Sequence, residues 1–134
     1  ISALKKKQIT VFGGSQLRPN IHIDDMVKVY DHLLFKNCPT GIYNAGFENY
    51  SIKKIADSVA KITKASIVVK KTNDPRSYRI DSSKLLKTGF KPDKNIFYAI
   101  NEIKEKYKKN KKFFDNKNAY TVSWMKQKKI IWKV

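Results

Sequence analysis

Arg18-Pro19-Asn20-Ile21-His22-Ile23-Asp24-Asp25 is the stretch that decides the reading of this 134-residue chain. A cation stands at one end of a short alternating run and a pair of carboxylates at the other. A guanidinium at Arg18 can grip a phosphate through two parallel hydrogen bonds, which an ammonium cannot do. Asp24 or Asp25 is placed to cap a helix that starts beside them. That helix is legible in its own spacing. Over residues 24–36 the apolar side chains Met26, Val27, Val29, Tyr30, Leu33 and Leu34 recur at helical intervals, which predicts an amphipathic helix.

Working outward, helices and short strands alternate. Gln8 to Phe12 is β-rich and is stopped by the turn signal Gly13-Gly14. Gly41-Ile42-Tyr43-Asn44-Ala45 predicts a buried strand closed by Gly46. Ser51 caps a second helix with an inner stripe of Ile52, Ile55, Ala56, Val59 and Ile62. Ile67, Val68 and Val69 are β-branched, so residues 66–70 read as a strand. A short helix over 82–87 stops at Gly89, a left-handed cap, with Pro92 soon after. The last helix, 95–107, turns Ile96, Ile100, Ile103 and Tyr107 inward. This is an α/β pattern, and the length suits one compact unit with a modest core. The tail 113–134 breaks the rhythm. Its residues 120–124 alternate like a strand, and Ile130-Ile131-Trp132 is apolar enough to pack back on the body or on a neighbouring subunit.

The formal charge of +18 raises nucleic acid as a partner. Only Arg18, Arg76 and Arg79 among the 29 basic residues are arginines, and the lysines are spread along the chain. Lysine reads bases and phosphates less specifically, and a lysine run such as 104–112 is a solvated helix face, so nucleic acid is disfavoured. A small basic nucleic-acid-binding module remains the alternative from a different class, beside a noncatalytic interaction subunit of the same fold. Cys38 is the single cysteine, which allows no internal disulfide and points to a reducing compartment. No apolar run reaches membrane-spanning length, and residues 1–7 lack the apolar core of a signal peptide, so a cytoplasmic protein with no membrane partner is expected.

Taken together and in order, these segments resemble the extended short-chain dehydrogenase/reductases, the NAD-dependent nucleotide-sugar epimerase/dehydratase family. Arg18 to Asp25 looks like its "R-x-x-I-H-V-x-D" element. Ile9-Thr10-Val11-Phe12-Gly13 is similar to its "I-x-V-F/Y-G" strand, and Gly41 to Gly46 to its "G-x-Y-N-x-G" strand. Asp81, Ser83-Lys84 and Gly89-Phe90-Lys91-Pro92 resemble its late "D-x-S-K-x-x-x-x-L-G-W/F-x-P" signature. In that family the "R-x-x-I-H-V-x-D" element follows the catalytic apparatus, whereas here it begins at residue 18 of a chain that starts with Ile1. The resemblance therefore implies a C-terminal fragment: the last strand (41–46) and helix of the Rossmann sheet plus the small mixed α/β substrate-binding subdomain. Residues 1–112 are expected to form this substrate-binding portion, and 113–134 the tail that packs on the body or on a neighbouring subunit.

The resemblance also assigns residues. It makes Phe12 the ring on which a nucleotide base stacks; the rival reading is a core phenylalanine. It makes Arg18 a contact to the diphosphate; the rival is a surface pair with Asp24 or Asp25. Where the family often has a phosphate-gripping arginine this chain has Lys71, which keeps the charge but loses the fork. Arg76 is then expected to take over that role with Lys71 assisting, unless Arg76 and Arg79 instead pair with Asp74 and Asp81 to close the loop. His22 is expected to be structural and bonded to backbone, and Asn44 to satisfy a turn.

No Gly-x-x-Gly-x-x-Gly follows a first strand, so no dinucleotide cradle is expected, and no Tyr-x-x-x-Lys pair of the proton-moving kind is expected either. No histidine and cysteine spacing suggests a metal, and no serine sits in a nucleophile elbow. Catalytic, cofactor-binding and metal-ligating residues are thus expected to be none. The expected partners are a nucleotide-diphosphate sugar, an N-terminal Rossmann portion that holds NAD(P), and a second copy in a homodimer of the parent enzyme. The piece alone is expected to be inactive.

Overall fold

The computed structural model describes residues 1–72, 74–116, 124, 125 and 128. Its elements run α1 (Ser2–Lys6), β1 (Gln8–Phe12), β2 (Leu17–Asn20), α2 (Ile23–Phe35), β3 (Glu48–Ser51), α3 (Ile52–Thr63), β4 (Ser66–Lys70), α4 (Ser83–Leu86), α5 (Ile96–Lys109) and α6 (Lys111–Asp115). β1 and β4 pair in parallel, Gln8 opposite Ser66 and Phe12 opposite Lys70. Parallel neighbours need a long crossover, and here it runs through β2, α2, β3 and α3, with α3 packing back on both strands. β2 and β3 form an antiparallel ribbon with Leu17 opposite Ser51 and Asn20 opposite Glu48. The mixed α/β architecture is the expected one.

The helix starts show how local chemistry sets the boundaries. Ser51 caps α3 by accepting the Lys54 N–H at 3.1 Å, and Asn95 caps α5 by accepting that of Tyr98 at 2.9 Å. At α2 the expected cap is corrected. His22 holds the cap position, its Nδ1 accepting the Asp24 N–H at 3.2 Å, while Asp24 and Asp25 sit inside the first turn where the helix dipole favours anions. Asp25 is fully buried and reaches away from its own helix to accept the N–H groups of Asp93 at 3.1 Å and Lys94 at 2.9 Å. A buried carboxylate needs such donors, and here they fix the approach to α5.

The core cluster is Val29, Leu85 and Phe90, with Ile21, Leu33, Tyr43, Ala45 and Phe47 packed against it. Phe47 stacks on Phe90 with ring centroids 5.6 Å apart. Gly89 holds φ +89° after α4, the left-handed turn that leads Phe90 into the core.

Three expectations change. Residues 41–45 form no strand, because no described segment hydrogen-bonds to them as a ladder; yet Tyr43 and Ala45 face the core while Ile42 stands 87% exposed, the alternation of an extended run without its sheet. Ile103 is not inward but 45% exposed, at the rim of an apolar cleft shared with α1 and α3. On α2 the stripe divides. Val29 is buried, whereas Ile23, Val27, Tyr30 and Leu34 form a second, exposed row, and Phe35 beside it is exposed too. The expectations for residues 120–124 and 130–132 fall outside the described residues, Trp124 apart. Among the described residues no helix is long and apolar enough to cross a membrane.

Candidate functional site

Phe12 is the last residue of β1 and is 59% exposed, so among the described residues it is not a core filler. The Gly13 N–H donates to the Lys70 carbonyl at 2.8 Å, so the two parallel strands end side by side. Lys71 comes directly after β4 and is exposed, with no ion pair among the described residues. A flat ring and a cation therefore stand at the same end of the sheet.

Arg18 projects from β2 to the segment 74–78. Its Nη1 donates to the carbonyls of Leu17 at 2.8 Å and Arg76 at 2.7 Å, and its Nη2 lies 3.7 Å from the Asp74 carboxylate. The guanidinium also lies over the Tyr78 ring, 5.1 Å from its centroid. The alternative pairing with Asp24 or Asp25 does not occur: Asp24 bonds Lys94, and Asp25 is spent on backbone. Arg76 forks onto Asp74, with Nε at 2.7 Å and Nη2 at 2.8 Å. These side-chain bonds, then the Arg76 backbone N–H, hold the Asp74 carboxyl down to about 2.

Loop closure by two arginines is thus half realised. Arg76 pairs with Asp74, but Asp81 accepts the Ser83 hydroxyl and N–H instead, at 2.6 and 2.9 Å, and Arg79 has no ion pair among the described residues. Sequence reasoning missed Tyr78 as a partner of Arg18. It also missed that Asp74 is shared by both arginines.

Two stretches carry all four expected residues, and they run side by side. The Leu17 N–H donates to Ser77 Oγ at 3.0 Å, the Tyr78 N–H reaches the Leu17 carbonyl at 3.4 Å, and Thr72 packs on Gly13. The structure brings Arg18 and Arg76 into direct contact, and Phe12 and Lys71 to the neighbouring strand ends. A groove lined by Gly46, Phe47, Asn49, Ile80, Asp81 and Ser82 lies beside the core and does not include them.

The remaining residues are structural. His22 is buried as a cap, and its Nε2 meets Glu102 at 2.7 Å. Asn44 donates to the Asp81 carbonyl at 3.3 Å, spanning two segments rather than closing its own turn. Cys38 is a half-buried free thiol near the His32 carbonyl. Among the described residues no group of three His, Cys, Asp or Glu could hold a metal.

One sequence expectation is corrected by the sequence itself. Tyr50 and Lys54 have the Tyr-x-x-x-Lys spacing, as do Tyr107 and Lys111. Tyr50 lies on β3 and Lys54 in the first turn of α3, with Lys54 Nζ 3.7 Å from the ring centroid. A hydrogen bond with Glu48, then burial, pushes the Tyr50 hydroxyl up, which is the wrong direction for a proton donor near neutral pH.

The Gly13-Gly14 turn does not fit a dinucleotide. The space beside Gly13 is filled by Gln16 and Thr72, and the Gly14 N–H, which a pyrophosphate would need, donates to Gln16 Oε1 at 2.7 Å. The chain then enters β2, not a helix whose N-terminus could hold phosphate.

No family model matches the chain, and no curated protein sequence matches it significantly. Solved structures do share its fold. The dTDP-glucose 4,6-dehydratase of Bacillus anthracis, in complex with NAD, matches with a TM-score of 0.69 at 21% identity, covering 81% of this chain and 37% of that one. The L-threonine dehydrogenase of Clostridium difficile gives 0.64 at 21%, covering 81% and 38%. The ADP-L-glycero-D-manno-heptose-6-epimerase of Helicobacter pylori gives 0.63 at 18%, covering 75% and 33%. The chain has the fold of the C-terminal part of such Rossmann-like enzymes and spans between 33% and 38% of these three.

Proposed function

We propose that this chain is the nucleotide-sugar-binding portion of an NAD-dependent nucleotide-sugar epimerase or dehydratase, an isomerase or lyase, and is inactive by itself. The observation that carries the reading is the convergence of Arg18 and Arg76 beside the strand ends that present Phe12 and Lys71. An exposed ring suits a base, and guanidinium forks suit a diphosphate. NAD(P) belongs to the rest of the parent enzyme, since the glycine turn here is closed by Gln16. In that parent, the chain's own groups bind and orient the sugar nucleotide, and the hydride chemistry is supplied by the bound nicotinamide.

The solved epimerase and dehydratase favour a nucleotide sugar, while the threonine dehydrogenase shares the fold with a different substrate in its name. Calorimetric titration with nucleoside diphosphate sugars decides the matter. Affinity that depends on the base supports the reading; affinity for any polyanion that collapses steeply with salt indicates a basic nucleic-acid-binding module instead.

A further inference from the structure

We infer that Asp74 is a specificity-determining residue of this site: its carboxylate is a built-in competitor that an incoming anion must displace, so the site selects diphosphates over singly charged or compact anions. The inference rests on the phosphate-gripping role proposed for Arg18 and Arg76.

Both prongs of the Arg76 fork are engaged by Asp74, and Arg18 Nη2 lies 3.7 Å from the same carboxylate. One acidic group thus stands between two guanidinium groups, where a ligand phosphate would sit. An anion that offers only one carboxylate-like face gains nothing over the group already there. A diphosphate carries more charge and can engage Arg18 and Arg76 at once, so it gains where a single group does not.

The carboxylate is also placed to move. Asp74 lies in a stretch without helix or strand, and beside its own bonds to Arg76 its backbone N–H bonds the Thr72 hydroxyl at 3.2 Å. The next anchors to β2 come after it, at the Arg76 carbonyl, which accepts from Arg18, and then at Ser77 and Tyr78. Asp74 can turn away while Arg18 stays held by the Leu17 and Arg76 carbonyls.

The test is calorimetric titration of the chain with inorganic pyrophosphate and with orthophosphate. Wild type is expected to prefer pyrophosphate, and Asp74→Asn to bind orthophosphate roughly tenfold more tightly, the effect of one charge-assisted hydrogen bond made available. Asp57→Asn removes the same charge on α3 and should leave both affinities unchanged; an equal gain there reduces the effect to net charge and overturns the inference. If Arg18→Ala and Arg76→Ala weaken pyrophosphate but Asp74→Asn strengthens nothing, the competitor role is wrong and the phosphate grip stands. If neither arginine matters, the grip itself is wrong. Should Asp74→Asn fail to fold, the carboxyl resonance of Asp74 in carbon-13-labelled wild type gives the answer: it shifts when pyrophosphate displaces it, and an unmoved resonance at saturation overturns the inference.

Discussion

The Ser82 hydroxyl is bonded twice to Gly46, accepting its N–H and donating to its carbonyl, each at 3.0 Å in a buried setting. This pair fastens the unpaired run 41–46 to the segment beyond the arginine loop. Without a sheet partner, the run has few other backbone bonds to hold it.

Replacing Ser82 by Ala should therefore cost about 1–3 kcal/mol, the usual penalty for leaving buried polar groups without partners. Urea unfolding of the variant checks this. An unchanged midpoint and slope would mean that the run is held by packing of Tyr43, Ala45 and Phe47 alone.

Acid should loosen the molecule in a defined window. Bonds from Arg76 lower Asp74 to about 2, the Ser83 hydroxyl lowers Asp81, Lys94 lowers Asp24, and Lys106 followed by His22 lowers Glu102. Each carboxyl is depressed in the folded state, so its contribution is complete above the ordinary values of 3.8 and 4.5 and is withdrawn as pH falls through the folded values. Thermal midpoints are expected to be flat near neutrality and to fall as pH drops from about 5 toward 2. A midpoint that rises on acidification would contradict these pairings.

Much of the fold is legible in the sequence. β1 and β4 fall where their β-branched runs place them, and the Ser51 cap is where a small hydroxyl precedes an apolar stripe. These signals are local, so sequence carries them. The β2–β3 ribbon is not legible, because Arg18 faces Tyr50 from far along the chain and neither strand alternates strongly in burial. Asp25 reads as a cap for the same kind of reason: its true donors, at Asp93 and Lys94, are distant in sequence. At the site, Arg18 and Arg76 are visible as residue types. Their meeting on Asp74 depends on the stretch after β4 lying along β2, which no local pattern encodes.

The exposed row on α2 should make the chain associate when its charge is screened. Ile23, Val27, Tyr30 and Leu34 are between 53% and 73% exposed, and Ile42, nearby in sequence, is barer still, while +18 of net charge opposes contact at low salt. Sedimentation is expected to show more self-association as salt rises, and Leu34→Lys to reduce it. A monomer at every salt concentration, with a transition as sharp as a complete domain's, would contradict the bare face.

In a complete enzyme containing this chain, Arg18→Ala and Arg76→Ala should each weaken nucleotide-sugar binding by about 1.5–3 kcal/mol, as for hydrogen bonds to a charged group. Arg79→Ala should matter less, since Arg79 does not join the cluster on Asp74. Competition titrations read the affinities. Negligible effects at both Arg18 and Arg76 would leave only a loop tied by ion pairs.

Calorimetric titration of this chain with NAD is the most direct test of the account, because the chain is proposed to supply the sugar-nucleotide side of a cleft and not the cofactor cradle. With the Gly14 N–H taken by Gln16 and the turn leading into β2, the predicted result is no saturable NAD binding at micromolar concentrations of the protein. Saturable binding of NAD by the chain alone would contradict the account.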